Sequence, residues 1–332
     1  LDFKAKAMRL FLIVIAISLI CGCKQRPKEI PTTTEEKKPY FYWSVDWHPS
    51  KDLFVVGGMQ DTLRLFTAQN FELVKNIPYK GTITKTKWHP SQNVLAISVQ
   101  DGVSKSSILN LDTNKRIELD SISTGQARAI GWNHSGELLA VGDYEGTLTF
   151  FDANGTFLKK IRTHQKSIIG LDWHPKENRI VAVGEDITLY DYESDRIDQI
   201  EDRQEKTEVL MLCVAWHPSG EFFVTGDYGD FQYQYPPLLQ YWTDTGERIK
   251  SIEKSKAEYR NLTWSKDGEL LATASEKIRL WNSSGDLVKE KETEHLLWGI
   301  DWKDDGRQLV ATDEQGKTLF WNRDLSKVRE FP

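Results

Sequence analysis

The chain has 332 residues, 39% hydrophobic and 28% charged, with 12 Trp; it is long enough for one large domain or two ordinary ones and needs no disulfides to bury a core. The net charge is −6, and −8 once residues 1–22, with Lys4, Lys6, Arg9 and Asp2, are set aside. That balance argues against a sequence-independent nucleic-acid binder, which needs a basic surface, but leaves room for a local basic patch.

The first segment reads as an address. Behind Arg9 lies the apolar run Leu10–Ile20, too short for a membrane-spanning helix of about 20 residues but suited to a secretory signal peptide over residues 1–22, with Met8 a candidate start. The run ends in "ICGC", which resembles a bacterial lipobox. Cys23, directly after the small Gly22, fits lipidation better than Cys21, which follows bulky Ile20. Residues 23–39, "CKQRPKEIPTTTEEKKP", are polar and proline-bearing and read as a lipid-anchored flexible tether. The expected location is therefore the bacterial cell envelope: exported and lipid-anchored, facing the periplasm or the surface, with the outer membrane favoured. Cys213, in the apolar stretch "VLMLCVAW", reads as a buried, unreactive thiol, so no intrachain disulfide is expected.

From residue 40 onward one pattern returns seven times. "VDWHPSKDLFVVGG" is followed by "TKWHPSQNVLAISV", "IGWNHSGELLAVGD", "LDWHPKENRIVAVG", "VAWHPSGEFFVTGD", "LTWSKDGELLATAS" and "IDWKDDGRQLVATD", centred on Trp47, Trp88, Trp132, Trp173, Trp216, Trp264 and Trp302. Each repeat holds a short apolar run ending in the Trp, a Pro/Ser/Asp/Gly turn, and a second apolar run. A third run ends in an aromatic residue or Leu followed by Thr, Asp or Asn, and a weaker fourth run closes the unit. Four short strands per unit, with no sustained helical spacing, predict an all-β repeat architecture.

The Trp-His-Pro sequence suggests chemistry, but the pattern argues against it. His48, His89, His174 and His217 each follow a repeat Trp, so they fall on separate units, whereas metal ligands must converge within about 2 Å of one point. Pro presets the first central position of a type I turn. Asp46 is set aside as well, because its counterparts are Lys87, Gly131, Asp172, Ala215, Thr263 and Asp301. There is no GxSxG, HExxH, Walker, GxGxxG or CxxC motif. No catalytic residue, cofactor, metal or nucleic-acid partner is expected, and the chain reads as a non-enzyme.

On these repeats, above all "LTWSKDGELLATASEKIRLWNSSGDLV", the chain resembles the WD-repeat β-propeller family. Propellers of TolB type share the turn, but third strands such as "GTLTFFD" and "KIRLWN" favour the WD-repeat form. The resemblance implies a seven-bladed β-propeller of four-stranded antiparallel blades over residues 40–332. It is imperfect: Trp281 and Trp321 are followed by Asn and Trp242 by Thr, so no Trp-Asp pair is intact. His164 and His295 stand where the family places a structural His before the first strand, but without the Gly. The usual His–Ser/Thr–Trp–Asp network is therefore expected to be incomplete. "LSKVREF", residues 325–331, is expected to give the last blade its own fourth strand, so that the ring closes without borrowing one.

The resemblance also places the first strand of each blade around a central channel. Residues two and five places before each turn Trp are then core, and those four places before it face the rim of the top face: Trp43, Thr84, Arg128, Ile169, Leu212, Arg260 and Trp298. Trp and Arg dominate interface hot spots. The fifth repeat carries a surplus on the same face, with Tyr228, Phe231, Tyr233 and Tyr235 in "GDYGDFQYQYPPLLQYW". The expected function is a membrane-anchored scaffold that docks an unknown protein or peptide there. The alternative is a small-molecule-binding or enzymatic propeller with an anionic ligand held at the channel mouth by Arg128 and Arg260.

Overall fold

The computed structural model describes residues 41–120, 126–201, 209–230 and 234–331. Cys23, the signal peptide and the tether lie outside the described residues, as do Phe231 and Tyr233. Seven sheets of four antiparallel strands follow one another along the chain, each with its strands in sequential order. The innermost strands of blades one to seven are Tyr42–Trp47, Thr82–Trp88, Ala127–Trp132, Ile168–Trp173, Met211–Trp216, Asn261–Trp264 and Leu297–Trp302. Among the described residues the last blade is completed by its own strand Lys327–Phe331, paired to Thr318–Asn322.

The core is not inside any blade. Each hydrophobic cluster straddles two neighbouring blades: Val94 and Ala96 of blade two pack with Ile130, Trp132 and Val141 of blade three. Val310 and Phe320 of blade seven pack with Tyr42, Val45 and Phe54 of blade one. A twisted four-stranded sheet has two apolar faces and must bury both, which radial stacking does. The outer strands, such as Leu73–Pro78 and Leu287–Glu292, are largely exposed and carry lysines that blunt their open edges.

The repeated turns are joints between blades. The Nδ1 of His89 accepts the backbone N–H groups of Ser91 and Gln92, so its proton sits on Nε2, which donates to the Gly136 carbonyl of the next blade over 3.1 Å. His174 reaches Gly220 and His217 reaches Gly268 in the same way. Each ring also packs on the turn Trp of the following blade, as His48 does on Trp88 at 4.5 Å. These histidines thus have a structural task, one the turn reading alone did not reveal. His164 departs from its expected place. It is exposed, and buried Gln165 beside it donates to Thr188 and the Ala182 carbonyl instead. The Trp end of the family network survives in two blades, where Trp242 and Trp281 donate to Thr225 and Thr273.

Candidate functional site: the channel mouth

One irregularity builds the mouth. In six blades the first two strands change register by one residue at the same point. The extra residue is Trp43, Thr84, Arg128, Ile169, Leu212 or Trp298. In blade six, Arg260 stands at the equivalent place, directly before the strand. A β-bulge leaves one residue without a cross-strand partner and re-aims its side chain. Strict alternation would have put these side chains on the blade-packing face with the residues two places on. The bulge turns them into the channel instead, and all seven line one cavity.

The cavity has two characters. On one side Trp43 and Trp298, from the blades that meet at ring closure, lie 5.0 Å apart. The Arg128 guanidinium covers Trp43 at 4.4 Å and that of Arg260 covers Trp298 at 4.1 Å. The result is a continuous Arg–Trp–Trp–Arg stack drawn from blades three, one, seven and six. Arg128 reaches past blade two because the bulged residue of that blade is the short Thr84, whose hydroxyl turns back to the Ala127 carbonyl and Ser98. Phe41 packs edge-on against Trp298 at 6.0 Å. On the other side, blades four and five present Ile169 and Leu212.

The polar atoms of the stack are incompletely used. Trp43 Nε1, Trp298 Nε1, Arg128 Nη1 and Arg260 Nε are buried and have no hydrogen-bond partner. Arg260 is held by an ion pair with Glu258, whereas no ion pair to Arg128 is found among the described residues. Burial pushes the Arg128 guanidinium below its usual value, and Arg260 adds to the effect despite Tyr144. Cation–π contact offsets part of this, at about 0.5–2 kcal/mol each.

The fifth-blade loop rises beside the stack. Tyr228 N–H bonds to the Leu210 carbonyl at the start of the inner strand, and the Tyr228 ring lies 5.8 Å from the Arg260 guanidinium. Tyr228 is exposed and Tyr235 is half-buried. Asp230 and Tyr235 exchange two backbone hydrogen bonds of 2.8 Å, and Asp227 accepts the N–H groups of Gly229 and Leu238, so the base of the loop is pinned. Thus Trp43, Arg128, Leu212, Arg260, Trp298 and Tyr228 are brought together, and Tyr235 stands further along the loop.

Further along the channel lies a cluster that the sequence reading passed over. Asp46, Asp172 and Asp301, each one place before a turn Trp, accept the backbone N–H of the next blade's turn Trp at 2.6–2.8 Å. Lys87 pairs with Asp46 at 3.3 Å, and Lys85 donates to Asn261 across the channel. Burial pushes Asp172 up to about 6 and, with Asp46 beside it, Asp301 up to about 7; burial pushes Lys85 down to about 8. Asp46 is thus a seam residue. The signal was a charge one or three places before the Trp on the innermost strand, as in "TKTKW" and "VDW". Cys213, on the cavity wall, is buried and held up at about 12 by desolvation.

Fold and site together define a seven-bladed propeller with a cavity at its channel mouth lined by aromatic, basic and apolar side chains. The WDR19 first beta-propeller family matches residues 43–217, more than half of the chain, and the eIF2A family (eukaryotic translation initiation factor eIF2A) matches residues 144–298. The chain belongs to the WD-repeat β-propeller family. Among curated relatives, human Echinoderm microtubule-associated protein-like 3 is 27% identical over 208 residues, 60% of this chain and 22% of that protein. The APC/C activator protein CDH1 of Saccharomyces cerevisiae is 21% identical over 293 residues, 85% of this chain and 49% of that protein. Transcriptional corepressor LEUNIG_HOMOLOG of Arabidopsis thaliana is 23% identical over 160 residues, 46% of this chain and 19% of that protein. The chain spans from about a fifth to a half of the length of these relatives. Such propellers are typically protein-interaction scaffolds and generally not enzymes.

Proposed function

We propose that this chain is a membrane-anchored interaction scaffold that docks a protein or peptide on the channel mouth. The observation that carries the reading is the Arg128–Trp43–Trp298–Arg260 stack, with four buried donors unsatisfied and an apolar wall of Ile169 and Leu212 opposite. A folded protein rarely leaves buried donors idle, and Trp and Arg are the side chains that most often anchor a partner. Tyr228 would extend the contact beyond the rim.

The anchoring half of the proposal rests on the N-terminal sequence alone: Cys23 would carry the lipid, and residues 24–39 would hold the propeller close to the bilayer surface of a bacterial envelope. Acyl chains contribute about 0.8 kcal/mol per buried CH₂ to such attachment. Detergent phase partitioning of the wild-type chain and Cys23→Ala tests it. Partition of both into the aqueous phase would sink the anchor.

Docking is tested by affinity purification from native membranes with the full chain and with a Trp43→Ala/Trp298→Ala double variant, both checked by thermal melting. A partner retained by the first and lost by the second supports the mouth as the site. Equal retention by both would assign docking to another face.

A further inference from the structure

The donors of the mouth say what a partner must bring, an argument that rests on the docking reading above. All four unpartnered atoms are N–H groups: two indole and two guanidinium. Neither indole nor guanidinium can accept a hydrogen bond, so only an acceptor satisfies them. The carboxylates nearby are already engaged. Glu258 is engaged by Arg260, and the channel carboxylates Asp46, Asp172 and Asp301 each take a backbone N–H of the neighbouring blade. Arg128 is therefore a buried cation with a vacant donor and no carboxylate of its own among the described residues. Lys85 also lines the cavity and adds a third positive group beside Arg128 and Arg260. A basic peptide would meet three cations there, Arg128, Arg260 and Lys85.

We propose that the mouth recognises an acidic side chain, an Asp or Glu carboxylate, of a bound peptide. Its two oxygens accept from Arg128 and the indole N–H groups, while a neighbouring apolar side chain of the same peptide rests on Ile169 and Leu212. Charge-assisted hydrogen bonds of this kind are about twice as strong as neutral ones. The channel neighbourhood thereby selects acidic sequence even though the chain as a whole is negative.

The test is selection of a random heptapeptide library on the immobilised full chain in detergent, run in parallel on the wild type, Arg128→Gln and Trp43→Ala/Trp298→Ala. The expected result is enrichment of Asp or Glu next to an apolar residue on the wild type, lost on both variants. The best peptide is then synthesised beside its amide twin, Glu→Gln or Asp→Asn. The amide should bind about tenfold or more weakly, and Arg128→Lys should restore part of the loss that Arg128→Gln causes. Selected peptides without acidic enrichment, or equal binding of the amide twin, would overturn the carboxylate proposal. The docking reading would survive if those peptides still failed on the double Trp variant. Selection of no peptide at all would overturn both. Displacement of the best peptide by inorganic phosphate at concentrations below that peptide's own dissociation constant would also overturn it, in favour of a small-anion site.

Discussion

His89 Nε2 of blade two donates to the Gly136 carbonyl of blade three, and the same imidazole packs on Trp132 of that blade at 5.0 Å. One side chain thereby caps its own turn and fastens the next sheet. Gly136 has φ of 79°, and a Cβ there would lie 2.2 Å from His89 Nε2.

Gly136→Ala should accordingly destabilise the propeller by about 2 kcal/mol or more, through left-handed backbone strain and the clash together. His89→Ala should cost about 1–3 kcal/mol by leaving the turn N–H groups and the Gly136 carbonyl unpaired. The double variant should cost less than the sum, because removing the ring removes the clash. Denaturant titration of the four proteins measures this.

Asp301 makes stability depend on pH in a definite direction. Burial, then Asp46, holds it up to about 7 against an ordinary 3.8, with Lys87 opposing. Between those values the folded chain binds a proton that the unfolded chain does not, so this group's contribution to stability grows as pH falls from about 7 towards 4. The turn histidines act the other way. Burial lowers their values, so their contribution is present above 6.5 and is lost on acidification. Asp301→Asn isolates the carboxyl, since the histidines are common to both proteins. The gain in melting temperature of Asp301→Asn over wild type should be several degrees larger at pH 8 than at pH 5. A pH-independent difference would refute the assignment.

Arg279 is buried in blade six between Glu276 and Glu290, with 3.1 Å from its Nε to Glu290. Burial alone would raise Glu276, but hydrogen bonds from Arg279, Ser255 and Ser275 outweigh it and bring the group down to about 2. Its contribution is therefore present above about 4.5 and is lost as pH falls towards 2. Arg279→Met should cost about 1–3 kcal/mol near neutral pH, because it takes the charged hydrogen-bond partner from two partly buried carboxylates. The same variant should show a flatter loss of stability between pH 4.5 and 2 than the wild type, read by chemical denaturation at each pH.

The mouth should trade stability for contact. Arg128 is desolvated with no anionic partner among the described residues, so Arg128→Gln should leave the melting temperature unchanged or raise it by a few degrees while abolishing docking. Arg260→Gln should lower it slightly, since Glu258 then loses its partner. A large destabilisation by Arg128→Gln would assign that residue to the scaffold instead.

Much of this was readable along the chain. Seven turn tryptophans at a regular spacing fixed the number of blades, and the apolar runs around them fixed the strands. Val45, Ile130, Leu262 and Ile300, two places before the Trp, are buried as their position implies, although Leu171 stays half-buried because it borders the channel cavity. Less was readable of the site. That Trp43 and Trp298 face the mouth followed from their place in the repeat, but their contact with each other and with two arginines did not. Nor was it visible that Asp46 and Asp301 would serve as seam acceptors, because the N–H groups they accept lie in the next blade, 42 and 254 residues away along the chain.

The sequence by itself determined the repeat, its strands and its turn chemistry, because those depend on residues close together in the chain: Pro and Gly in turns, apolar side chains in strands. Only the tertiary structure decided what the repeats do to one another. The shared bulge that swings Arg128, Trp43 and Trp298 out of the blade faces is a matter of cross-strand register. The contact of Trp43 with Trp298, like the seam bond between Trp47 and Asp301, 254 residues apart, follows from ring closure, which no local pattern encodes.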